Sequence, residues 1–245
     1  MVKYMPMERI IPYPRGNFTT YPIPGGIDLS LVEQGRFRSS YVRLTTRRGT
    51  PYDYVMSPHI HIPQDRVWIS DGHRYVVPMY HLQRTPNRVL SIDLDYFSGV
   101  RDITLEAGRL LQAVCVASQL SAFVIADFHE DLPIMGEGVS SPQCAQEAVD
   151  MINQGEITDA NFIPFMSTQT LIIKPSDIRH SQSFREERDL IVTNADQLLS
   201  GSEYRNIPDL KDYFDMIHLC TSPTYIHHTI AFNALKTILK IGFDS

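Results

Sequence analysis

The stretch Val89-Leu-Ser-Ile-Asp93-Leu-Asp95-Tyr-Phe97 carries the pattern that decides the fold. It begins with apolar, β-prone residues, which predict a buried strand, and then carries two carboxylates two positions apart. Residues two apart in an extended strand point to the same side, so Asp93 and Asp95 are expected to converge. Open α/β sheets hold their ligands at the carboxyl ends of the strands. The stretch therefore predicts a polar site at one edge of a buried sheet.

Two other stretches repeat this plan. The β-prone run Phe123-Val-Ile125 leads to Asp127-Phe-His129-Glu-Asp131, and the run Val67-Trp-Ile-Ser70 leads to Asp71-Gly-His73. Three strands that deliver carboxylate and imidazole groups to one edge suggest a metal centre. The candidate ligands are His73, Asp93, Asp95, Asp127, His129 and Asp131.

Strand and helix patterns alternate from Val67 onward. Apolar residues at helical spacing predict an amphipathic helix over Ile103–Ala117. Ser141-Pro142 is typical of a helix start, and Gly155 of a helix end. Later in the chain, strands are predicted at Leu171–Ile173, Leu190–Val192 and Met216–Leu219, a short helix at Asn194–Leu199, and a last helix between the start signal Ser222-Pro223 and Gly242.

This alternation predicts an α/β fold, a single-domain three-layer α/β/α sandwich with a mostly parallel sheet. A chain of 245 residues with 43 % hydrophobic residues has the size and apolar content for one such domain, 1–245. Prolines and glycines interrupt long elements near the amino terminus. Whether residues 1–60 form an irregular N-terminal extension is left open.

Composition excludes several classes of protein. The net charge of −6 argues against nucleic acid as the main partner. No stretch approaches the roughly 20 apolar residues of a membrane span, and the first residues lack the apolar region of a signal peptide, so a cytoplasmic protein is expected. Cys115, Cys144 and Cys220 form no CxxC pair, which argues against a thiolate zinc site or a disulfide framework. Cys115 and Cys220 are expected to be reduced core residues.

The charge of the candidate ligands indicates which metal they would hold. Four carboxylates and two imidazoles suit a hard or borderline divalent ion, Mn²⁺ more than zinc. Ionised acids gathered at one edge repel one another and need a compensating cation. Two ions fit that charge better than one, and a pair that shares a water can activate it for attack on an sp² carbon. Under the alternative, in which the acids are solvated loop-end residues, no metal would bind.

Three motifs resemble a known superfamily. Asp127-Phe-His129-Glu-Asp131 resembles the Asp-Ala-His-x-Asp motif of the arginase and ureohydrolase superfamily, and Ser91-Ile-Asp93-Leu-Asp95 resembles its Ser-x-Asp-x-Asp motif. Asp71-Gly-His73 is similar, more loosely, to its Gly-Gly-Asp-His turn. The strings Leu90–Ser98 and Leu219–Tyr225 resemble the branch that includes bacterial peptide arginases, which convert arginine side chains of ribosomal peptides to ornithine.

The resemblance implies an arginase-like fold and a Mn²⁺-dependent hydrolase. Its substrate would be an arginine-containing precursor peptide, and its products ornithine and urea. The implied roles are Asp93 and Asp127 as bridges between two Mn²⁺ ions, His129 and Asp95 as ligands of one ion, and His73 and Asp131 as ligands of the other. Asp131 would also act in catalysis, by helping to pass a proton to the leaving amine. The two motif strands occur in the reverse order in arginases, so which aspartates bridge is left open.

Several roles and alternatives stay open at this stage. The acid that would hold the guanidinium group is matched to no single residue, and neither is the histidine that would assist proton transfer. Candidates for the first are Glu130, Glu137 and Asp215, and for the second His218, His227 and His228. A metal-dependent amidohydrolase of the deacetylase kind with one zinc is an alternative enzyme, and a non-catalytic peptide-binding protein on the same fold is an alternative of another class. The oligomeric state, including a homo-oligomer, is also open.

Overall fold

The structure of the protein is a computed structural model. It describes residues 18–20, 29–33, 41–45, 51–55, 66–70, 72–83, 86–128, 140–166, 169–175, 185–187, 190–200, 207, 209–222, 226 and 228–243.

A small antiparallel sheet lies in the first part of the chain. Its strands are β1 (Phe18–Thr20), β2 (Tyr41–Thr45) and β3 (Pro51–Val55), with β2 in the middle. Both pairings are antiparallel.

A seven-stranded sheet forms the centre of the molecule. Its strands are β4 (Val67–Ser70), β5 (Val89–Asp93), β6 (Phe123–Ala126), β7 (Thr170–Lys174), β8 (Arg185–Glu187), β9 (Leu190–Asn194) and β10 (Met216–Cys220). The spatial order is β4-β10-β5-β6-β7-β9-β8. Six strands run parallel, and only β8 at the edge pairs in the antiparallel sense. The predicted mostly parallel sheet is therefore confirmed.

Helices cover both faces of this sheet. They are α1 (Leu29–Glu33), α2 (Val76–Leu82), α3 (Ile103–Ala117), α4 (Ala145–Gln154), α5 (Ala195–Leu199) and α6 (His228–Phe243). Helices α5 and α6 pack against α3 on one face, and α1, α2 and α4 pack together on the other. This arrangement confirms the α/β fold with helices on both sides. No helix among the described residues has the length and apolar character needed to cross a bilayer.

The central strands divide their side chains between two cores. In β5, Leu90 and Ile92 belong to the core under α3 and α6, whereas Val89 belongs to the core under α2 and α4. Because side chains alternate along a strand, Ser91 and Asp93 lie on the α2 and α4 side. His218 lies on the same side of β10, since its neighbours Ile217 and Leu219 belong to the opposite core. The polar residues of these strands thus share one face.

The predicted start of α4 is wrong. Helix α4 begins at Ala145 with Cys144 as its N-cap, not at Ser141, and the Glu147 carboxylate accepts a hydrogen bond from the Gln143 amide at 2.6 Å. Its predicted end is confirmed, because Gly155 adopts the left-handed conformation (φ 77°) that favours glycine.

Helix α6 does not stop at Gly242 but continues to Phe243. A Cβ at Gly242 would lie 3.0 Å from a methyl of Leu210, so this glycine permits close packing and does not end the helix.

Candidate metal centre

Three aspartates meet at the carboxyl edge of the sheet. Asp93 is the last residue of β5, and Asp127 directly follows the neighbouring strand β6. Asp95 lies beyond the strand, in a 3-10 turn over Leu94–Phe97. Ligand oxygens of all three lie within 4.8 Å of one another, and all three residues are buried.

Asp95 reaches this cluster by a different route from the predicted one. The sequence predicted that Asp93 and Asp95 would share one side of an extended strand. Instead, the Asp93 carboxylate accepts a hydrogen bond from the Asp95 amide at 2.9 Å, as the N-cap of the turn. The Oδ1 atom of Asp95 then accepts from the Phe128 amide at 3.3 Å. The turn, and not the pleat of the strand, brings the two acids together.

His73 points one ring nitrogen into the cluster. It begins a 3-10 turn that follows β4, and its side chain is 2 % exposed. Its Nε2 atom lies 3.4 Å from Oδ2 of Asp93 and 3.5 Å from Oδ2 of Asp127. Within the described part of the chain, Nε2 has no hydrogen-bond partner. The ring stacks on Phe162, with centroids 5.2 Å apart and planes 7° from parallel.

The thiol of Cys220 forms a second group with Asp93 and His73. Their ligand atoms also lie within 4.8 Å of one another. Cys220 is free and buried, as predicted for a core cysteine. However, nothing in the sequence indicated that its sulfur would lie beside candidate metal ligands. Asp93 therefore belongs to both groups, one with oxygen atoms only and one with nitrogen, oxygen and sulfur atoms.

Ser222 stabilises the Asp93 carboxylate from the end of the next strand. It follows β10, and its hydroxyl donates a short hydrogen bond to Oδ2 of Asp93. Ser222 has a φ of 37°, in the left-handed region that disfavours residues other than glycine. Such strain concentrates at functional sites and costs about 1–3 kcal/mol. The sequence had assigned Ser222 to a helix start, which is wrong, since α6 begins only at His228.

The buried charges shift the pKa values of the site. Burial lowers the pKa of His73, but the carboxylates of Asp127 and Asp93 outweigh this effect and raise it to about 9. Burial and the neighbouring charge of Asp95 raise the pKa of Asp93 well above its ordinary value. In the absence of a cation, these shifts favour the protonated forms of His73 and Asp93.

A buried lysine lies at the same edge of the sheet. Lys174 ends β7, is 3 % exposed and donates from Nζ to the Phe128 carbonyl at 3.1 Å. Lys174 therefore brings an amino group to the edge of the sheet where the three aspartates lie.

The donor atoms fit divalent cations. The three carboxylates offer the oxygen ligands that Mn²⁺ and Mg²⁺ prefer, whereas imidazole and thiolate suit Zn²⁺. A buried imidazole nitrogen without a hydrogen-bond partner, aimed at two carboxylates, is typical of a metal ligand. A cation that binds Nε2 of His73 would displace the proton of that nitrogen.

The structure brings together His73, Asp93, Asp95 and Asp127. Other predicted site residues lie outside the described residues, namely His129, Glu130, Asp131, Glu137, His227 and the side chain of His228. Asp215 lies at the opposite edge, where its Oδ2 accepts from the amides of Asn87 and Arg88 at 2.9 and 3.0 Å. Strand β10 separates it from Cys220 by roughly 17 Å, at about 3.3 Å per residue. Asp215 is therefore unsuited to hold a substrate at the carboxyl edge.

His218 lies in the middle of β10 and is fully buried. Its ring bonds Ser91 and Ser70, so it does not face the cluster directly. Burial, and then the charge of His73, hold the pKa of His218 well below its ordinary value.

Sequence reasoning missed four residues of this edge. They are Ser70, Lys174, Cys220 and Ser222. One sequence signal could have indicated Cys220 and Ser222. The apolar run Met216–Leu219 ends in the polar string Cys-Thr-Ser, and the other strands of the site also end in polar residues.

Comparisons of the chain with protein-family models, with curated proteins and with solved structures found no match.

Proposed function

We propose that the protein is a Mn²⁺-dependent hydrolase that cleaves the guanidinium C–N bond of arginine side chains in a peptide. The observation that carries this proposal is the position of Asp93, which belongs to two adjacent groups of ligand atoms. A residue shared in this way can bridge a pair of cations. Asp95 and Asp127 would complete one site, and His73 would contribute to the other.

The chemistry requires water, an activated carbon and a proton for the leaving group. When bound, a pair of divalent cations supplies the Lewis acidity that activates water for attack on an sp² carbon. A C–O bond forms at the guanidinium carbon, the bond from that carbon to Nε of arginine breaks, and Nε takes up a proton. One water is consumed, and ornithine and urea are released. By the motif resemblance, Asp131 would assist this proton transfer.

The choice of arginine is supported by two features. The chain has a net charge of −6, so a cationic side chain would be attracted to it. The motif Ser91-Ile-Asp93-Leu-Asp95 resembles that of enzymes that act on guanidinium groups. A peptide substrate is favoured over free arginine because the strings Leu90–Ser98 and Leu219–Tyr225 resemble the peptide arginase branch.

Metal analysis tests whether the protein binds Mn²⁺ at this edge of the sheet. Wild-type protein dialysed against Mn²⁺ should carry about two ions per chain. The Asp127→Asn variant should lose at least one. Asp215→Asn is the matched control, since it removes a carboxylate from the opposite edge of the same sheet and should leave the metal content unchanged. Wild-type protein that binds no divalent ion would overturn the proposal.

An activity assay tests whether the protein hydrolyses arginine side chains. The Mn²⁺-loaded protein is incubated with arginine-containing peptides or with free arginine, and urea is measured. Each converted peptide arginine should lose the mass of cyanamide. A metal-loaded protein that binds the peptide with unchanged affinity after Asp93→Ala, and releases no urea, would instead be a binding protein.

The position of Cys220 favours a second candidate. A thiolate beside His73 and Asp93 suits Zn²⁺. The alternative enzyme, a metal-dependent amidohydrolase of the deacetylase kind, would use a single zinc ion. This candidate predicts one zinc per chain and release of acetate from an acetyl-lysine peptide, without urea from an arginine peptide.

A further inference from the structure

A chain of buried hydrogen bonds leads from His73 across three neighbouring strands. The Nδ1 atom of His73 lies 2.8 Å from Oγ of Ser91, and that oxygen lies 2.8 Å from Nδ1 of His218. On the other side of the His218 ring, Nε2 lies 2.6 Å from Oγ of Ser70. The Ser70 hydroxyl then bonds the Gly72 carbonyl at 2.8 Å. All four side chains are at most 2 % exposed.

The Gly72 carbonyl, at the end of this row of hydrogen bonds, determines which atom donates in every bond of the row. The Gly72 carbonyl can only accept a hydrogen bond, so the Ser70 hydroxyl must donate its single hydrogen to that carbonyl. The oxygen of Ser70 must then accept from His218, which makes Nε2 of His218 the protonated nitrogen. A neutral His218 has a bare Nδ1, which accepts from the Ser91 hydroxyl. Ser91 in turn must accept from Nδ1–H of His73.

A neutral His218 follows from its surroundings. The ring is fully buried, and its hydrogen-bond partners are the two serine hydroxyls. A buried imidazolium bonded only to hydroxyl groups would be strongly destabilised.

We infer that Ser70, His218 and Ser91 are positioning residues that hold His73 in the tautomer whose Nδ1 is protonated and whose Nε2 is free to bind a metal ion. This inference rests on the proposed metal centre. It adds that the metal-binding form of His73 is set by the carbonyl of Gly72, four hydrogen bonds away. Partners of this kind orient a ligand imidazole and raise its basicity, and their loss costs roughly 10- to 100-fold in metal affinity.

The register of strands β4, β10 and β5 makes this row of hydrogen bonds continuous. His218 of β10 pairs in register with Ser91 of β5 on one side and with Trp68 of β4 on the other. Ser70 lies two residues after Trp68 and therefore on the same face of β4. The serines thus flank the His218 ring from both neighbouring strands, so the geometry depends on β10 lying between β4 and β5.

Nitrogen-15 NMR tests the direction of these hydrogen bonds in metal-free protein. In metal-free protein labelled at histidine, two-bond proton–nitrogen correlations distinguish the two neutral tautomers. The signal assigned to His218, by its absence in His218→Asn, should show the proton on Nε2. A proton on Nδ1 of His218 would overturn the inference, even if the protein binds Mn²⁺ and hydrolyses arginine.

Metal affinity tests the consequence for His73. Ser91→Ala should weaken Mn²⁺ binding roughly 10- to 100-fold, and Ser91→Thr, which keeps the hydroxyl, should restore most of it. Ser121→Ala is the matched control, because it removes a buried serine hydroxyl that bonds backbone carbonyls near the start of β6. Affinity that is unchanged in Ser91→Ala would contradict the inference, whereas wild-type protein without Mn²⁺ affinity would contradict the proposed function instead.

Discussion

Asp93 and Cys220 are paired in register at the ends of adjacent parallel strands. This pairing of β5 with β10 puts a thiol next to the carboxylate that the two ligand groups share. A hard ion such as Mn²⁺ gains little from a sulfur ligand, whereas a softer ion such as Zn²⁺ gains much. Substitution of the thiol can therefore distinguish the Mn²⁺-dependent hydrolase from the zinc-dependent amidohydrolase.

Cys220→Ser should lower the affinity for Zn²⁺ and leave the affinity for Mn²⁺ nearly unchanged. The reason is that a hydroxyl replaces the soft ligand while the carboxylates stay in position. Competition with a fluorescent chelator measures both affinities. Cys115→Ser, which changes a buried thiol on α3, is the control. Loss of Mn²⁺ binding in Cys220→Ser would contradict the assignment of Mn²⁺ to the oxygen ligands and favour a single softer ion.

Mn²⁺ binding should release protons and become tighter as the pH rises. The pKa of His73 is raised to about 9 without metal, so at neutral pH a cation must displace its proton before Nε2 can bind. For one displaced proton, the affinity should increase about tenfold per pH unit up to the pKa of His73. Calorimetry in buffers of different ionisation enthalpy counts the protons. An affinity that does not change between neutral pH and the pKa of His73 would show that this residue is not a ligand.

Asp93→Asn should abolish metal binding but stabilise the metal-free protein at neutral and alkaline pH. Burial and Asp95 raise the pKa of Asp93 in the folded state above its unfolded value. The stability that the protonated carboxyl contributes is full below the unfolded pKa and is lost as the pH rises through the folded pKa. Asparagine does not ionise and avoids this loss. Urea unfolding in the presence of EDTA, over a series of pH values, measures the difference.

A loss of stability in metal-free Asp93→Asn would contradict this interpretation. It would indicate that the carboxylate is retained for its hydrogen bonds to Ser222 and Asp95 and not for metal binding. Ser222 can accept one hydrogen bond from the new amide group, and the amide oxygen can still accept from the Asp95 amide.

Phe162→Leu should weaken Mn²⁺ binding because it removes the ring that stacks on His73. Leucine is smaller than phenylalanine, so the free energy of unfolding should also fall, by roughly 0.5–3 kcal/mol. Phe165→Leu, in the same core, should cost similar stability without changing metal affinity. Equal metal affinity in the two variants would show that stacking does not orient the ligand.

Asp102→Ala separates stability from function. Asp102 is the N-cap of α3, and its carboxylate accepts from the Leu105 amide at 3.0 Å. Loss of such a cap costs about 1 kcal/mol. We expect a lower melting temperature with unchanged metal content, measured on the same sample. A change in metal content would indicate that the site responds to global stability, and the other variants would then need to be compared at equal stability.

The sequence by itself determined the alternation of strands and helices. Apolar periodicity is a local property, so α3 could be predicted over its full length and the six parallel strands could be located. It also determined that polar residues follow β5 and β6. Because parallel strands present their carboxyl ends at one edge, the meeting of Asp93 with Asp127 could be predicted from these positions.

Only the tertiary structure decided which other residues join them. Strand β10 comes last in the chain but lies between β4 and β5, so His218 meets Ser91 across 127 positions of sequence. Strand order results from the packing of the whole sheet and leaves no periodic trace in any one segment. For the same reason Cys220 and Ser222 resembled a core residue and a helix cap in the sequence. Their surroundings are set by strand β5, whose Asp93 lies beside them only once the sheet has formed.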